Sequence, residues 1–155
     1  MSETIDLEQL EVLVTREDVR ATIQATLEYA EMKRHESNAP WSTIPLDLRI
    51  YGNALPDNLK SSLVTVFAPG ANTKIERHPN ATQIVRVMAG QCDIQTRTDG
   101  PWQSNLKASD APELENRWSV VAPGVWHCPV QTGDSGWSVL AFHTVPADDL
   151  IDERA

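Results

Sequence analysis

The sequence predicts a single all-β domain, a sandwich or barrel of short strands, with a helical segment in front of it. Two observations carry this reading. After Pro40 the chain divides into short runs of β-forming residues separated by turn residues, the pattern of a sandwich or barrel. Before Pro40, apolar residues recur at helical spacing. No repeat, low-complexity tract or linker interrupts the 155 residues. We therefore expect one domain overall: a helical segment over 1–45, then a barrel with a short C-terminal tail over 46–155.

Asp6 to Val14 is expected to form a short helix. Thr15 reads as the N-cap of a second, with Glu17 and Asp18 placed in its first turn to complement the helix dipole. Val19, Ile23, Leu27 and Ala30 give that helix one apolar face from about Arg16 to Arg34. That face packs on the barrel or on a second subunit, and with a surplus of tryptophan it points to a homodimer. Leu46 to Tyr51 alternates with period two and reads as a strand. Strands are expected over 62–68, 73–78, 83–88, 92–97, 117–122, 125–130 and 137–145. Residues 103–116 read as a long polar loop, and Gln131 to Gly136 as a hairpin loop joining the last two strands. Pro146 to Ala155 is an acidic tail with room for one helical turn.

Composition excludes several classes. Thirteen Lys and Arg against 22 Asp and Glu give a formal charge of -9. Nucleic acid and anionic membrane surfaces select the opposite sign. No apolar run approaches a membrane span, and the acidic start Met1 to Asp6 lacks a signal pattern. A cytoplasmic location is the default expectation. A chain this long buries roughly 70% of its unfolded surface and needs no staple to fold. Cys92 and Cys128 match no metal or disulfide spacing and read as small buried hydrophobes.

The chemistry-bearing residues are Glu76, His78, Gln83 and His127. Glu76 and His78 lie two apart and share one face of a strand, while Arg77 faces away. A turn at Pro79 to Ala81 returns Gln83 beside His78. His127 comes from a separate strand after Gly124. Two imidazoles, a carboxylate and an amide oxygen around one point would make a shell for Fe(II), Mn(II), Ni(II) or Zn(II). Glu76 reads alternatively as an acid at the barrel mouth. Gln83 reads either as a ligand or as a hydrogen-bond partner of bound water or substrate. His143 reads as a catalytic base or substrate contact, or as a residue closing the barrel end by hydrogen bonding. His35 reads as a surface residue. Arg49, Tyr51, Arg86 and Arg117 are candidates for binding an acidic group, although parity places Arg86 outside the barrel.

These residues resemble the two motifs of the cupin superfamily. For the first motif, Gly70, His78 and Gly90 match in type and spacing; Glu76 stands where a first histidine is usual, and Gln83 where a glutamate is usual. For the second, Gly124 and His127 match, while Asn116, Ala122 and Gln131 replace its usual glycine, proline and asparagine. Pro123 follows one residue late. Glu76 to Asn80, Trp126-His127 and Phe142 to Val145 are also similar to small single-domain bacterial cupins. The resemblance implies a cupin double-stranded β-helix (jelly-roll) barrel behind an N-terminal α-helix. It implies one divalent metal per chain on Glu76, His78, Gln83 and His127, with Fe(II) favoured. It further implies a metal-dependent enzyme acting on a small organic molecule. A non-haem Fe(II) dioxygenase is read first. An isomerase or lyase, or a non-catalytic small-ligand-binding cupin, is the alternative.

Overall fold

In the computed structural model, which describes residues 4–71 and 73–155, the chain forms two five-stranded antiparallel sheets behind two helices. Met1 to Glu3, part of the segment read for a leader, lie outside the described residues. Helix α1 spans Leu7–Thr15 and α2 spans Glu17–Ser37. The strands are β1 Trp41–Leu46, β2 Ser61–Phe67, β3 Glu76–Arg77, β4 Gln83–Ala89, β5 Gln91–Arg97, β6 Leu106–Ala108, β7 Trp118–Val121, β8 Trp126–Gln131, β9 Trp137–His143 and β10 Glu153–Arg154. The first sheet runs β1-β2-β9-β4-β7 and the second β10-β3-β8-β5-β6.

The helical part forms for local reasons. The Asp6 side chain accepts from the Gln9 amide at 3.1 Å and caps α1. Thr15 is not the cap of α2. Its hydroxyl donates back to the Glu11 carbonyl at 2.6 Å, which ends α1 instead. Arg16 occupies the α2 cap position without a side-chain cap bond and pairs with Asp18 at 2.7 Å. The helix runs past Arg34 to Ser37, where Asn38 in the left-handed region (φ 53°) turns the chain. Val19, Ile23, Leu27 and Ala30 are all buried against the same chain. The apolar face that suggested a dimer is thus consumed by the chain's own first sheet.

Two strand expectations and one loop expectation are corrected. Leu46 to Tyr51 is not a strand; β1 ends at Leu46 and Leu48–Tyr51 is a 3₁₀ turn. The Asp47 carboxylate accepts from the Arg49 amide at 2.9 Å and competes with the sheet for that donor. Within 73–78 only Glu76–Arg77 pairs as a strand. The polar stretch 103–116 contributes β6 and a 3₁₀ turn at Leu114–Asn116.

A fourth correction concerns the connection over Gln131 to Gly136. It is not a hairpin loop, because β8 pairs with β5 and β3, and β9 pairs with β2 and β4. The loop carries the chain from one sheet to the other. Tight packing fixes it: a side chain at Gly136 would meet the Phe67 carbonyl at 2.5 Å, and one at Gly90 (φ 73°) would meet the Gly136 carbonyl at 2.9 Å.

The first sheet is covered on both faces, which explains why all of β9 is buried. Val85, Val87, Val139 and Ala141 face the space between the sheets, with Cys92 and Ile94 from the second sheet. Ile84, Leu140 and Phe142 face the helices, with Trp118 and Tyr51. Period-two alternation therefore places Arg86 outside the barrel, as expected, yet it is buried beneath α1. Glu11 resolves the cost of that burial. Its carboxylate accepts from Arg86 Nε at 2.7 Å and Nη2 at 2.9 Å, from Arg117 at 3.0 Å and from the Trp118 indole at 2.8 Å. The Arg86 bonds hold the Glu11 carboxyl below the usual carboxylate range against the opposing effect of burial, with Trp118 and Arg117 adding to them.

Removing Glu11 would leave Arg86 buried and unpaired. Glu11→Ala is expected to cost about 3 kcal/mol at pH 7, read by urea unfolding. The sign of the pH dependence follows from the depressed pKa. The stabilisation is complete above the unfolded carboxyl's value near 4.5 and is lost as pH falls through the folded value. The stability gap between wild type and Glu11→Gln should accordingly narrow below pH 4. A gap of constant size from pH 7 to pH 3 contradicts this assignment.

Candidate metal centre

Two cross-strand pairs face each other across the barrel. In the second sheet Glu76 on β3 stands opposite His127 on β8. In the first sheet Gln83 on β4 stands opposite His143 on β9. Directly opposed residues of an antiparallel pair hold their side chains roughly 5 Å apart. His78, just past β3, reaches between the two pairs. Its ring lies 5.1 Å from that of His127 and 5.2 Å from that of His143, centre to centre. The three histidines are buried, and Glu76 is 24% exposed.

Hydrogen bonds orient each ring. Nδ1 of His127 donates to the Val125 carbonyl at 3.2 Å, which turns Nε2 inward. That Nε2 is buried and has no hydrogen-bond partner among the described residues. Nδ1 of His78 donates to the Ile151 carbonyl at 3.1 Å and lies 2.9 Å from Asp152 Oδ1. Its Nε2 meets Gln83 Oε1 at 3.0 Å, and His143 Nε2 meets the same oxygen at 2.9 Å. Burial pushes the His143 imidazole down to about 4; His78 and His127 add to this and Glu76 opposes it. A neutral His143 donates to the Gln83 oxygen and fixes where that oxygen points.

Glu76 Oε1 lies 3.8 Å from His78 Nε2 and 3.7 Å from His127 Nε2. These gaps exceed hydrogen-bond reach, so the three groups do not satisfy one another. They do suit a shared ion. Metal–ligand bonds of about 2.1 Å place two ligands of one ion no more than about 4.2 Å apart, and both Glu76–histidine gaps fall inside that limit. Glu76, His78 and His127 each offer one ligand atom, all within 4.8 Å of one another. Burial raises the Glu76 carboxyl, but the facing His127 and His78, with Arg154, outweigh it and hold it below its ordinary value. An ionised oxygen and two neutral nitrogens form the donor set of a borderline divalent ion.

A cavity of about 240 Å³ opens beside this group. Leu63, Phe67, Val139 and Ala141 give it an apolar wall, and Thr43, Thr65 and Thr73 add hydroxyls. The Lys74 ammonium stands 5.0 Å over the Trp41 ring near it.

All four residues expected to surround one point do so, and His143 joins them. Sequence reasoning reached His143 through a hairpin that does not exist; it faces the site because β9 lies beside β4. The arginines and tyrosine considered for an acidic group lie elsewhere. Arg49 pairs with exposed Asp47, Tyr51 bonds Ser62 at 2.9 Å, and Arg86 and Arg117 serve Glu11. Arg77 covers the Trp126 ring on the outer face. His35 is exposed, Cys92 is buried, and Cys128 is only partly so. Two residues were missed. Asp152 and Arg154 line the cavity from the C-terminal tail, and Arg154 Nη1 lies 3.1 Å from Glu76 Oε2. Their spacing of two is a strand signal, but β10 is too short to be read from period alone.

No protein-family model and no curated protein matches the chain. Solved structures do. An oxalate oxidase in complex with the substrate analogue glycolate superposes at TM-score 0.56 with 17% identity, over 72% of this chain and 54% of that one. The oxalate decarboxylase of Lactobacillus farciminis, in a formate complex, gives 0.56 and 13% over 74% and 31%. CapF, a capsular polysaccharide assembling protein of Staphylococcus aureus, gives 0.59 and 15% over 74% and 32%. The matched region thus spans about half or less of each of those chains. At such identities the likeness concerns the fold. Two facing antiparallel sheets, the inward-facing Glu76, His78, Gln83 and His127, and these neighbours agree on it: this chain has the cupin double-stranded β-helix fold, with an N-terminal helical pair.

Proposed function

We propose that this chain is a metal-dependent enzyme acting on a small organic molecule. Glu76, His78 and His127 would hold one divalent ion, with Gln83 as a further contact. The observation that carries the reading is the buried, unpartnered Nε2 of His127 facing the Glu76 carboxylate. A buried nitrogen left unpaired costs about 1–3 kcal/mol, and a metal ion removes that cost. Bound there, the ion would act as a Lewis acid with open positions for substrate. The chain's own residues supply the rest. The Val125 carbonyl and the Ile151 carbonyl set the tautomers of His127 and His78. His143 steers the Gln83 oxygen, and apolar Leu63, Phe67, Val139 and Ala141 line the cavity beside the threonine hydroxyls. A volume of about 240 Å³ suits a small molecule. The glycolate and formate held by the oxalate-active neighbours support the same size class.

Among reactions, a dioxygenase using Fe(II) is the reading we place first. Two imidazoles and one carboxylate are the set that non-haem Fe(II) oxygenases use. Mn, Ni and Zn are the other ions this set accommodates. One observation favours a second reading. Gln83 Oε1 lies within 3.0 Å of both His78 Nε2 and His143 Nε2, a place from which it could take a fourth ligand position. Fewer openings suit an isomerase or lyase that polarises a carbonyl, with His143 near enough to exchange a proton, or a module that only binds its ligand.

Elemental analysis tests the metal. Wild type is expected to carry one divalent ion per chain, and His78→Ala or His127→Ala to bind it about a hundredfold more weakly or worse. Gln83→Ala should lose less, because a neutral amide is the weakest of the donors. Equal metal in all variants would refute the assignment. The reaction class has its own test. Protein loaded anaerobically with Fe(II) and exposed to nitric oxide should give an iron–nitrosyl spin-resonance signal. No signal, with or without candidate substrates, removes the dioxygenase reading.

A further inference from the structure

We infer that the C-terminal segment Ile151–Arg154 is a working part of this metal centre, in which Asp152 and Arg154 are positioning residues for His78 and Glu76. The inference rests on the metal reading above. Four side chains form a closed circuit. His78 Nδ1 lies 2.9 Å from Asp152 Oδ1, and Asp152 Oδ2 lies 3.1 Å from Arg154 Nη2. Arg154 Nη1 lies 3.1 Å from Glu76 Oε2, and Glu76 Oε1 faces His78 Nε2 at 3.8 Å.

The circuit does two chemical things. The Ile151 carbonyl accepts from Nδ1 of His78, and the Asp152 carboxylate stands 2.9 Å from the same nitrogen; together they keep its proton there and its lone pair on Nε2. A carboxylate behind a ligating imidazole also raises the basicity of the ligating nitrogen. Arg154 meanwhile occupies one oxygen of Glu76 and leaves the other, Oε1, turned toward both histidine nitrogens. The tail thus sets the donor atom of two of the three proposed ligands.

The segment is held as such a role requires. Asn80 clamps it twice, donating to the Asp149 carbonyl at 2.7 Å and accepting from the Ile151 amide at 3.1 Å. Glu153 and Arg154 pair with Arg77 and Glu76 as β10 on β3, and the Ala155 amide donates to the Ile75 carbonyl at 3.1 Å. A strap serving only to cover an edge would not need two charged side chains aimed into the cavity. Asp152 and Arg154 are both among its lining residues.

Arg154 separates positioning from simple charge. If it acted only through its charge, removing a cation beside a dication site would strengthen binding. If it positions Glu76, removing it weakens binding. The experiment titrates Co(II) into metal-free full-length protein, reading affinity by calorimetry and ligand geometry by visible absorption. Asp152→Ala and Arg154→Ala are each expected to weaken Co(II) binding by about 10- to 100-fold and to shift the absorption bands. Asp152→Asn and Arg154→Lys, which keep an acceptor and a cation, should recover part of the loss. Melting temperatures of the metal-free variants should match wild type, because both side chains are about two-fifths exposed. Wild-type affinity in both alanine variants, or tighter binding by Arg154→Ala, overturns the inference while the loss in His127→Ala leaves the metal reading standing. A wild type that takes up no divalent ion overturns both.

Discussion

Three buried imidazoles, with the rings of His127 and His143 each about 5 Å from that of His78, set the constraint on this barrel. Every ring nitrogen taken from water must find a partner, and like charges so close cannot accumulate. The chain answers with backbone carbonyls for the outward nitrogens of His78 and His127. One amide oxygen accepts from His143 and lies 3.0 Å from the inward nitrogen of His78. Five-stranded sheets facing each other are well suited to this, because inward side chains of the two sheets interdigitate. Nε2 of His127, beside the Glu76 carboxylate, is left without a hydrogen-bond partner among the described residues. That unmet nitrogen, facing a carboxylate, is the deficit around which the site is built.

Holding that deficit in place requires rigid walls on both sides of the first sheet. Gln83 and His143 sit on strands whose outward residues Ile84 and Phe142 are packed under the helices. The Glu11 carboxylate ties α1 to that outer face through Arg86 on β4 and Trp118 on β7. β4 presents Gln83 to the inner site and β7 pairs with it, Arg86 and Trp118 being register partners. The N-terminal helices therefore contribute no ligand, yet they fix the strand that presents Gln83. The C-terminal tail does the corresponding work for the second sheet, where β3 has only two paired residues and would be a loose edge alone.

Much of the site was legible in the sequence because parity is a local rule. Glu76 and His78 two apart, Gln83 leading Val85 and Val87, and Arg86 on the other side follow from period two alone. Which strands then become neighbours is not local. Reading 131–136 as a hairpin treated closeness in sequence as pairing, whereas the chain there changes sheets; His143 reached the site through β4 and not through β8. Leu46 to Tyr51 alternates in hydropathy, but Asp47 caps a 3₁₀ turn with its own side chain, and a side-chain bond of that kind leaves no trace in the periodicity. The α2 face carries the same ambiguity: an amphipathic helix tells that its apolar face is covered, not by what, and here the chain's own first sheet covers it. Asp152 and Arg154 were illegible for a further reason. Their partners lie more than seventy residues earlier, and a two-residue strand carries too little pattern to announce a pairing.

Gln83 brings these threads together. Where the cupin motif commonly carries a glutamate, this chain carries a neutral amide, so a divalent ion on Glu76, His78 and His127 would meet one negative ligand and keep a positive charge. Arg154 on the far oxygen of Glu76 lowers the electron density that Glu76 can offer, which reinforces that surplus. Lys74 near the cavity adds a further cation. The chain as a whole is strongly acidic, at -9, yet the cavity lining balances Glu76 and Asp152 against Lys74 and Arg154 before any ion is counted. A carboxylate at position 83 would cancel the excess and, accepting from His143, would also claim a coordination position more firmly than an amide does. The amide accepts the same hydrogen bond from His143 with less pull on the ion. With Gln instead of Glu here, a bound ion would be both more electrophilic and more open, and would draw its remaining ligand from the substrate instead of from the barrel.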